Sequence, residues 1–503
     1  MHFSNSLLLL LPAAAVTASS SPSSTPNSLL GAYLFVRHGD RTAKATPPTH
    51  LTDLGYREVF MAGTYYRDRY LTPSSSDNST STRLSSLNSH IYSPQSLSAF
   101  APADAVLQNS ATGFLQGLYP PAGNVAATDA QLRNGSKVES PLNGYQLINI
   151  QSVDNGGNSE NNAWLQSTSN CPNEEVSSNN YFSSSEYLKT KRETDGFYKS
   201  LKPMLEGAFT DEEMSYKNAY TIFDYLNVAR IHNSSASSFP HADLLTDSTF
   251  QRLGDLANEH EFNLAYNSSD PIRAVSGSIL AGQMLAALNS TITSGGETEA
   301  LSVQFGAYGT FLSFFGLVGL SDEDVMFKGV PDYASSMAIE LVNKGDNAGG
   351  SSDSFPEEKD IYVRFTFANG TIDGNDKSTL PRTYPLFNSG EEEMQWSDFV
   401  SKMRKISISG KEEWCHKCGS SSGTCAAYSD SDSASSSSTD GGKGHGMSKA
   451  VAGVVGAMVT LGVVLGLEAL VMLVGGIRLT RKGAGGVAAG AAGVKEVQEE
   501  VKV

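Results

Sequence analysis

"YLFVRHGDRTAK", residues 33–44, ends an unbroken apolar run, Ala32–Val36, on Arg37, His38, Gly39, Asp40 and Arg41. A short continuous apolar run predicts a strand covered on both faces, as in a sheet flanked by helices. In open α/β sheets the ligand site lies beyond the carboxyl ends of the strands, so these polar residues fall where a site belongs. Two guanidinium groups can grip one phosphate with paired, charge-assisted hydrogen bonds, and Gly39 lets the backbone approach a ligand closely. A neutral imidazole between them can attack phosphorus and form a covalent phosphohistidine, while the arginines stabilise charge on the transferring oxygens. The bland alternative is an Arg-His pair satisfied by carboxylates such as Asp40. Arg-His-Gly-x-Arg placed directly after an apolar strand favours the site.

Outward from this stretch, strands alternate with helices. Thr52 caps a predicted helix in which Tyr56, Val59, Phe60, Gly63, Tyr66 and Tyr70 recur at helical spacing. Ser110–Leu118 reads as a shorter helix stopped by Pro120 and Pro121. Residues 124–190 are rich in Asn, Ser and Gly and read as an irregular insertion, with helical patterns resuming over 194–230. Ile272–Leu288 is apolar on more than one side, which predicts a buried helix. Leu301, Val303 and Phe305 predict a strand, and the segment GTFLSFFGL after them a helix. Ile361, Val363, Phe365 and Phe367 alternate ahead of Asn369-Gly370, predicting an antiparallel hairpin at the sheet edge. The fold class is therefore α/β, a layered α/β/α sandwich core with a mainly helical cap insertion over roughly 124–260.

The chain of 503 residues is 39% hydrophobic and 18% charged, which fits one large packed domain with insertions. A net charge of −17 argues against nucleic acid as a partner, because phosphate backbones are held by clustered Lys and Arg. Residues 1–18 have the apolar core and small-residue end of a secretory signal peptide. Sequons at Asn78, Asn134, Asn233, Asn267, Asn289 and Asn369 fit a glycosylated luminal or extracellular domain, residues 28–425. A Ser-rich stretch, 426–447, reads as a stalk. Residues 450–477 form a predicted transmembrane helix of about 42 Å, enough to cross about 30 Å of hydrocarbon. Arg478, Arg481 and Lys482 then place the tail, 478–503, in the cytosol, giving a single-pass type I protein held in a membrane. Cys171, Cys415, Cys418 and Cys425 allow up to two disulfides in three connectivities. The Trp-Cys-His-Lys-Cys cluster at 414–418 also offers zinc ligands, but a second pair at zinc spacing is missing, which favours disulfides.

The segments "VRHGDRT" and "LTDLGYREVFMAGTYYRDRYL", with weaker echoes in "SATGFLQGLYPP" (110–121) and "DPIRAVSGSILAGQML" (270–285), resemble the histidine phosphatase superfamily, branch two, over about 31–320. That group contains the histidine acid phosphatases and phytases. The resemblance implies hydrolysis of small phosphomonoesters without a metal or other cofactor. It makes His38 the nucleophile and Arg37 and Arg41 phosphate ligands. The family carries a further phosphate-binding arginine before the helix matched here by Ser110-Ala111, where this chain has Val106 or a neighbour; the nearest upstream arginine is Arg83. It also carries a late His-Asp pair that supplies a phosphate ligand and the general acid, where this chain has Gly306 and Ala307. General acid catalysis contributes about 10²–10⁴-fold, so turnover rests on a substitute donor, for which Asp40, Tyr308 or a carboxylate that the sequence does not place are the candidates.

Two functions follow as expectations. The first is a membrane-anchored phosphomonoester hydrolase of acid phosphatase type. The second is a catalytically impaired relative that binds a phosphorylated ligand or partner at the cell surface. The first requires an imidazole and two guanidinium groups facing a cavity; protein carboxylates plugging them count against it.

Overall fold

The apolar run becomes a ten-residue strand, β1 (Ser28–Arg37), whose side chains alternate between two cores. Ala32, Leu34 and Val36 enter one cluster, Tyr33 and Phe35 the other. The structure, a computed structural model, describes residues 28–428 apart from 73–82, 124–130, 139, 153–167, 234–237 and 346–354. The leader at 1–18, Asn78, the stalk beyond Tyr428, the span at 450–477 and the tail lie outside the described residues, as does the whole second unit, Asp432–Val503.

After β1 come α1 (Asp53–Tyr70), β2 (Leu97–Phe100), α2 (Ala105–Leu118), β3 (Ile150–Gln151), α3 (Pro172–Asn180) and α4 (Ser185–Ser200). They are followed by α5 (Ala219–His232), α6 (Asp247–Ala265), α7 (Val275–Thr293), β4 (Leu301–Gly306), α8 (Tyr308–Leu317), β5 (Ser336–Asn343) and β6 (Ile361–Ala368). The last are β7 (Arg382–Tyr384), β8 (Glu393–Gln395), α9 (Trp396–Ile406) and α10 (Lys411–Cys418).

The strands form one sheet in the order β3-β2-β4-β1-β5-β6-β7, with β8 also paired to β6. Its β3, β2, β4 and β1 half is parallel and the rest antiparallel. Helices α1 and α2 cover one face through Val59, Tyr66, Leu107 and Phe114. Helices α7, α8 and α9 cover the other through Leu280, Met284, Phe311, Phe315 and Phe399. This is the layered sandwich that the strand-helix alternation implies. A third cluster, including Tyr181, Tyr198, Tyr216, Leu226 and Leu253, gives the helices α4, α5 and α6 a core of their own.

Several expectations change in detail. Thr52 does cap α1, accepting from the Gly55 amide at 3.0 Å, but Tyr56 and Phe60 are exposed rather than part of the buried stripe. Helix α2 starts at Ala105, earlier than expected, because Asp104 caps it with a 3.0 Å bond from the Leu107 amide. The insertion is irregular only in part, since α3 and α4 begin before residue 190. Strand β4 is buried at every position, not on one face. Strand β6 is not an edge hairpin. It sits between β5 and β7, and the chain after Asn369-Gly370 runs on to Arg382 before it pairs back. One described helix, Pro271–Thr293, is long and apolar enough to cross a membrane, yet it is the mostly buried helix expected in the core. The Cys-x-x-Cys pair closes neither on itself nor on zinc: Cys171 bonds Cys418 and Cys415 bonds Cys425.

Candidate active site

Strand β1 delivers Arg37 to the end of the sheet, where the parallel register sets it beside Gly306 of β4. The next residues turn away under two constraints. The His38 carbonyl accepts from the Ala334 amide at 2.9 Å, and the Gly39 amide donates to Ser110 Oγ of α2 at 3.3 Å. Gly39 also touches the N-terminal turn of α1, where a Cβ would lie 2.1 Å from the Gly55 carbonyl oxygen. The strand, α1 and α2 therefore fix the motif from three sides.

Arg37, His38 and Arg41 converge, each no more than 3% exposed. His38 Nδ1 lies 2.8 Å from the Gly39 carbonyl, a partner that can only accept. Nδ1 therefore carries the proton and Nε2 the lone pair. Nε2 is buried and has no hydrogen-bond partner among the described residues. Burial, and then the positive charges of Arg37 and Arg41, hold the imidazole well below its ordinary pKa and so keep it neutral. A neutral ring with a free Nε2 is the protonation state a nucleophilic histidine requires.

The guanidinium groups are not empty-handed. Arg37 donates to the Pro331 carbonyl and to the Tyr220 hydroxyl at 3.3 Å, and it lies 4.8 Å from the Tyr333 ring. Arg41 gives its two terminal nitrogens to Asp224, at 2.8 and 3.1 Å, and one of them to Tyr220 at 3.2 Å. Asp224 also accepts the Lys44 amide at 2.8 Å and the Tyr333 hydroxyl at 3.2 Å. The expectation of two arginines facing open space is thus corrected: a protein carboxylate from α5 occupies Arg41. Lys44 comes to the same cluster, with Nζ 5.8 and 5.5 Å from the ring centroids of Tyr220 and Tyr308.

The two expected proton donors are both otherwise engaged. Asp40 is fully buried, and its Oδ2 is held by Thr52 Oγ1 and by His232 Nε2, the latter at 2.7 Å. It ties α1 and α5 to the motif instead of facing the arginines. Tyr308 opens α8 beside Ala307, with its ring 5.4 Å from the Arg37 guanidinium carbon and 4.5 Å from the Tyr220 ring. Its hydroxyl donates to Glu261 at 2.7 Å, and it walls off a cavity of about 180 Å³ also lined by Glu174 and Glu261. Gly306 and Ala307 do stand at the carboxyl end of β4 next to Arg37, so the positions that lack a titratable group are part of the site.

Val106 is buried in the first turn of α2. Arg83 is remote: the neighbouring Leu84 amide bonds Tyr70 at the far end of α1, 18 residues long, from the turn that meets Gly39. Among the sequons, Asn134, Asn289 and Asn369 are exposed, while Asn233 and Asn267 are half-buried. The Asn369 side-chain oxygen accepts from Ser335 Oγ and the Asp332 amide, anchoring the loop beneath Arg37.

Sequence reasoning missed Tyr220, Asp224, Tyr333 and Glu58. Tyr220 and Asp224 stand one turn apart on α5 and were open to detection as polar positions on a buried helical stripe. Glu58 on α1 accepts the Asp40 amide at 2.8 Å, and burial pushes its carboxyl up to about 7.

The family model described as the histidine phosphatase superfamily (branch 2) matches residues 40–368. Among solved structures, the chain is similar to a phytase of Klebsiella sp ASR1, with 11% identity, a TM-score of 0.50, and coverage of 76% of this chain and 96% of that one. It is likewise similar to the phytase from Citrobacter braakii, with 13% identity, a TM-score of 0.50, and coverage of 78% and 99%. At these identities the likeness is one of fold. No curated protein matches the chain.

Proposed function

Because the chain belongs to the histidine phosphatase superfamily, branch 2, we propose that it is a phosphomonoester hydrolase that works through a phosphohistidine on His38. The observation that carries this reading is the neutral, buried imidazole. Its Nδ1 proton is committed to the Gly39 carbonyl, and its Nε2 lone pair lies unpartnered in the same cluster as Arg37 and Arg41. The substrate phosphate takes the guanidinium groups, Nε2 attacks phosphorus, and water then releases phosphate. With Gly306 and Ala307 at the usual place of the acid, turnover is slow. The leader at 1–18, the exposed sequons, the two disulfides and the apolar stretch at 450–477 support a membrane-anchored protein of the secretory pathway, with this domain luminal or extracellular.

One observation favours a second reading, a phosphate-binding protein without turnover: Asp224 already neutralises Arg41. Hydrolysis of an aryl phosphate between pH 3 and 7, compared with His38→Ala, separates the two. Activity that His38→Ala abolishes supports the hydrolase. Phosphate binding without activity in either protein supports the second reading.

A further inference from the structure

The hydrolase reading leaves one role unfilled, the proton donor to the leaving oxygen. Among the described residues, Asp224 is the one carboxylate within hydrogen-bond distance of Arg37 or Arg41. Asp40 faces His232 and Thr52, Glu58 faces the Asp40 amide, and Glu261 faces Tyr308 and His260. Asp332 lies near Arg37 but is exposed, and it is the adjacent Pro331 carbonyl that bonds the guanidinium.

We infer that Asp224 is the proton-transfer residue of this site, seated on Arg41 until a phosphate dianion takes its place; the inference rests on the phosphohistidine reading above. The Asp224 oxygens are received by both terminal nitrogens of Arg41, the Lys44 amide and the Tyr333 hydroxyl. These are donors that a phosphate oxygen accepts from equally well, and a dianion competes for them with twice the charge of a carboxylate. The displaced side chain stays tethered on α5, whose Tyr220 also bonds both arginines. Beside a dianion, and parted from its arginine, a carboxyl group is favoured in its protonated form. As His38 Nε2 bonds to phosphorus, the ester P–O bond breaks, its electron pair stays on oxygen, and the Asp224 proton passes to that oxygen to give the alcohol. Water then attacks phosphorus, its proton returns to the Asp224 carboxylate, and the N–P electron pair returns to Nε2 as phosphate leaves.

The test uses the full chain with 4-nitrophenyl phosphate, whose leaving group needs little protonation, and glycerol 2-phosphate, whose alkoxide needs it fully. In Asp224→Asn the ratio of alkyl to aryl kcat/KM falls at least tenfold, within the about 10²–10⁴-fold span of general acid catalysis. Asp224→Glu recovers part of that ratio, and Asp332→Asn leaves it where it was. If Asp224→Asn does not fold, Asp224→Glu carries the test, since a longer arm misplaces the proton and still lowers the ratio. An unmoved ratio in every folded Asp224 variant overturns the inference, as do equal rises for both esters or a matching loss in Asp332→Asn. A wild-type chain that hydrolyses neither ester and forms no phosphohistidine overturns the parent reading with it. Phosphohistidine formation with an unmoved ratio sinks the Asp224 role alone.

Discussion

Gly39 and Gly55 meet backbone against backbone: a Cβ on Gly39 would lie 2.1 Å from the Gly55 carbonyl oxygen, and one on Gly55 would lie 2.0 Å from the Asp40 carbonyl oxygen. The contact seats the first turn of α1 against the loop that carries His38. Because both obstacles are main chain, no rotamer change relieves the clash. Gly39→Ala and Gly55→Ala should each destabilise the fold by about 3 kcal/mol or more, at the upper end of overpacking. Urea unfolding measures the loss, and the Gly39 variant should also lose phosphate binding, because the loop shifts with it.

Glu340, at the centre of β5, is fully buried. It is held by Arg69 at 2.7 and 2.9 Å and by Tyr70 at 2.8 Å, and Arg364 comes to 3.5 Å. Removing it strands the Arg69 guanidinium at the sheet, while Arg364 keeps Glu393 at 2.8 Å. Glu340→Ala should cost about 3–5 kcal/mol in chemical denaturation, as for other broken buried pairs. Glu340→Gln, which keeps the shape and the acceptor oxygen, should cost less.

The Cys171–Cys418 bond closes a loop of sequence separation 247, and Cys415–Cys425 one of 10. Loop-closure entropy assigns about 5 kcal/mol to the first and about 3 kcal/mol to the second. Cys171→Ser/Cys418→Ser should therefore lower the unfolding midpoint further than Cys415→Ser/Cys425→Ser. Scanning calorimetry on the two paired variants gives the order.

Burial pushes Glu58 up to about 7, and burial together with Glu175 pushes Glu174 up to about 7, from an ordinary 4.5. An acid whose folded pKa is raised contributes stability below its unfolded pKa and loses it as pH climbs through the folded one. Between about pH 4.5 and 7 the unfolded chain ionises these groups and the folded chain does not, so each lowers stability with rising pH by about 1–3 kcal/mol. His38, held neutral by burial and its arginines, gives the opposite slope at acid pH. The readout is therefore the difference from Glu58→Gln and Glu174→Gln in urea unfolding at several pH values. The two variants should lose less stability than wild type across that window, and parallel curves would contradict the assignment.

What was legible in the sequence was local. Strand β1 showed as an unbroken apolar run because both of its faces are covered, and α1 showed through the Thr52 cap. Tyr56 and Phe60 misled because they lie along the α1–α2 seam, where a Cβ on Gly113 would come within 2.7 Å of the Tyr56 ring, rather than under the sheet. Strand β5 was missed because Glu340 interrupts its apolar pattern, and the partner that makes a buried glutamate tolerable, Arg69, is 271 residues away. Asp224 escaped for the same reason, its contact with Arg41 spanning 183 residues. Helix capping and strand burial leave marks within a few residues; a carboxylate that crosses from a cap helix to an arginine marks only a buried polar position and not its partner.

The most direct measurement is alkaline-quench trapping of the phosphoenzyme, with a labelled aryl phosphate mixed with wild type, His38→Ala, and Arg37→Ala, followed by peptide mass mapping at alkaline pH. The account predicts an acid-labile phosphoryl group on the peptide containing His38, absent in His38→Ala and sharply reduced in Arg37→Ala. A phosphoryl group that persists in His38→Ala, or an unlabelled wild-type chain that still hydrolyses the ester, would contradict it.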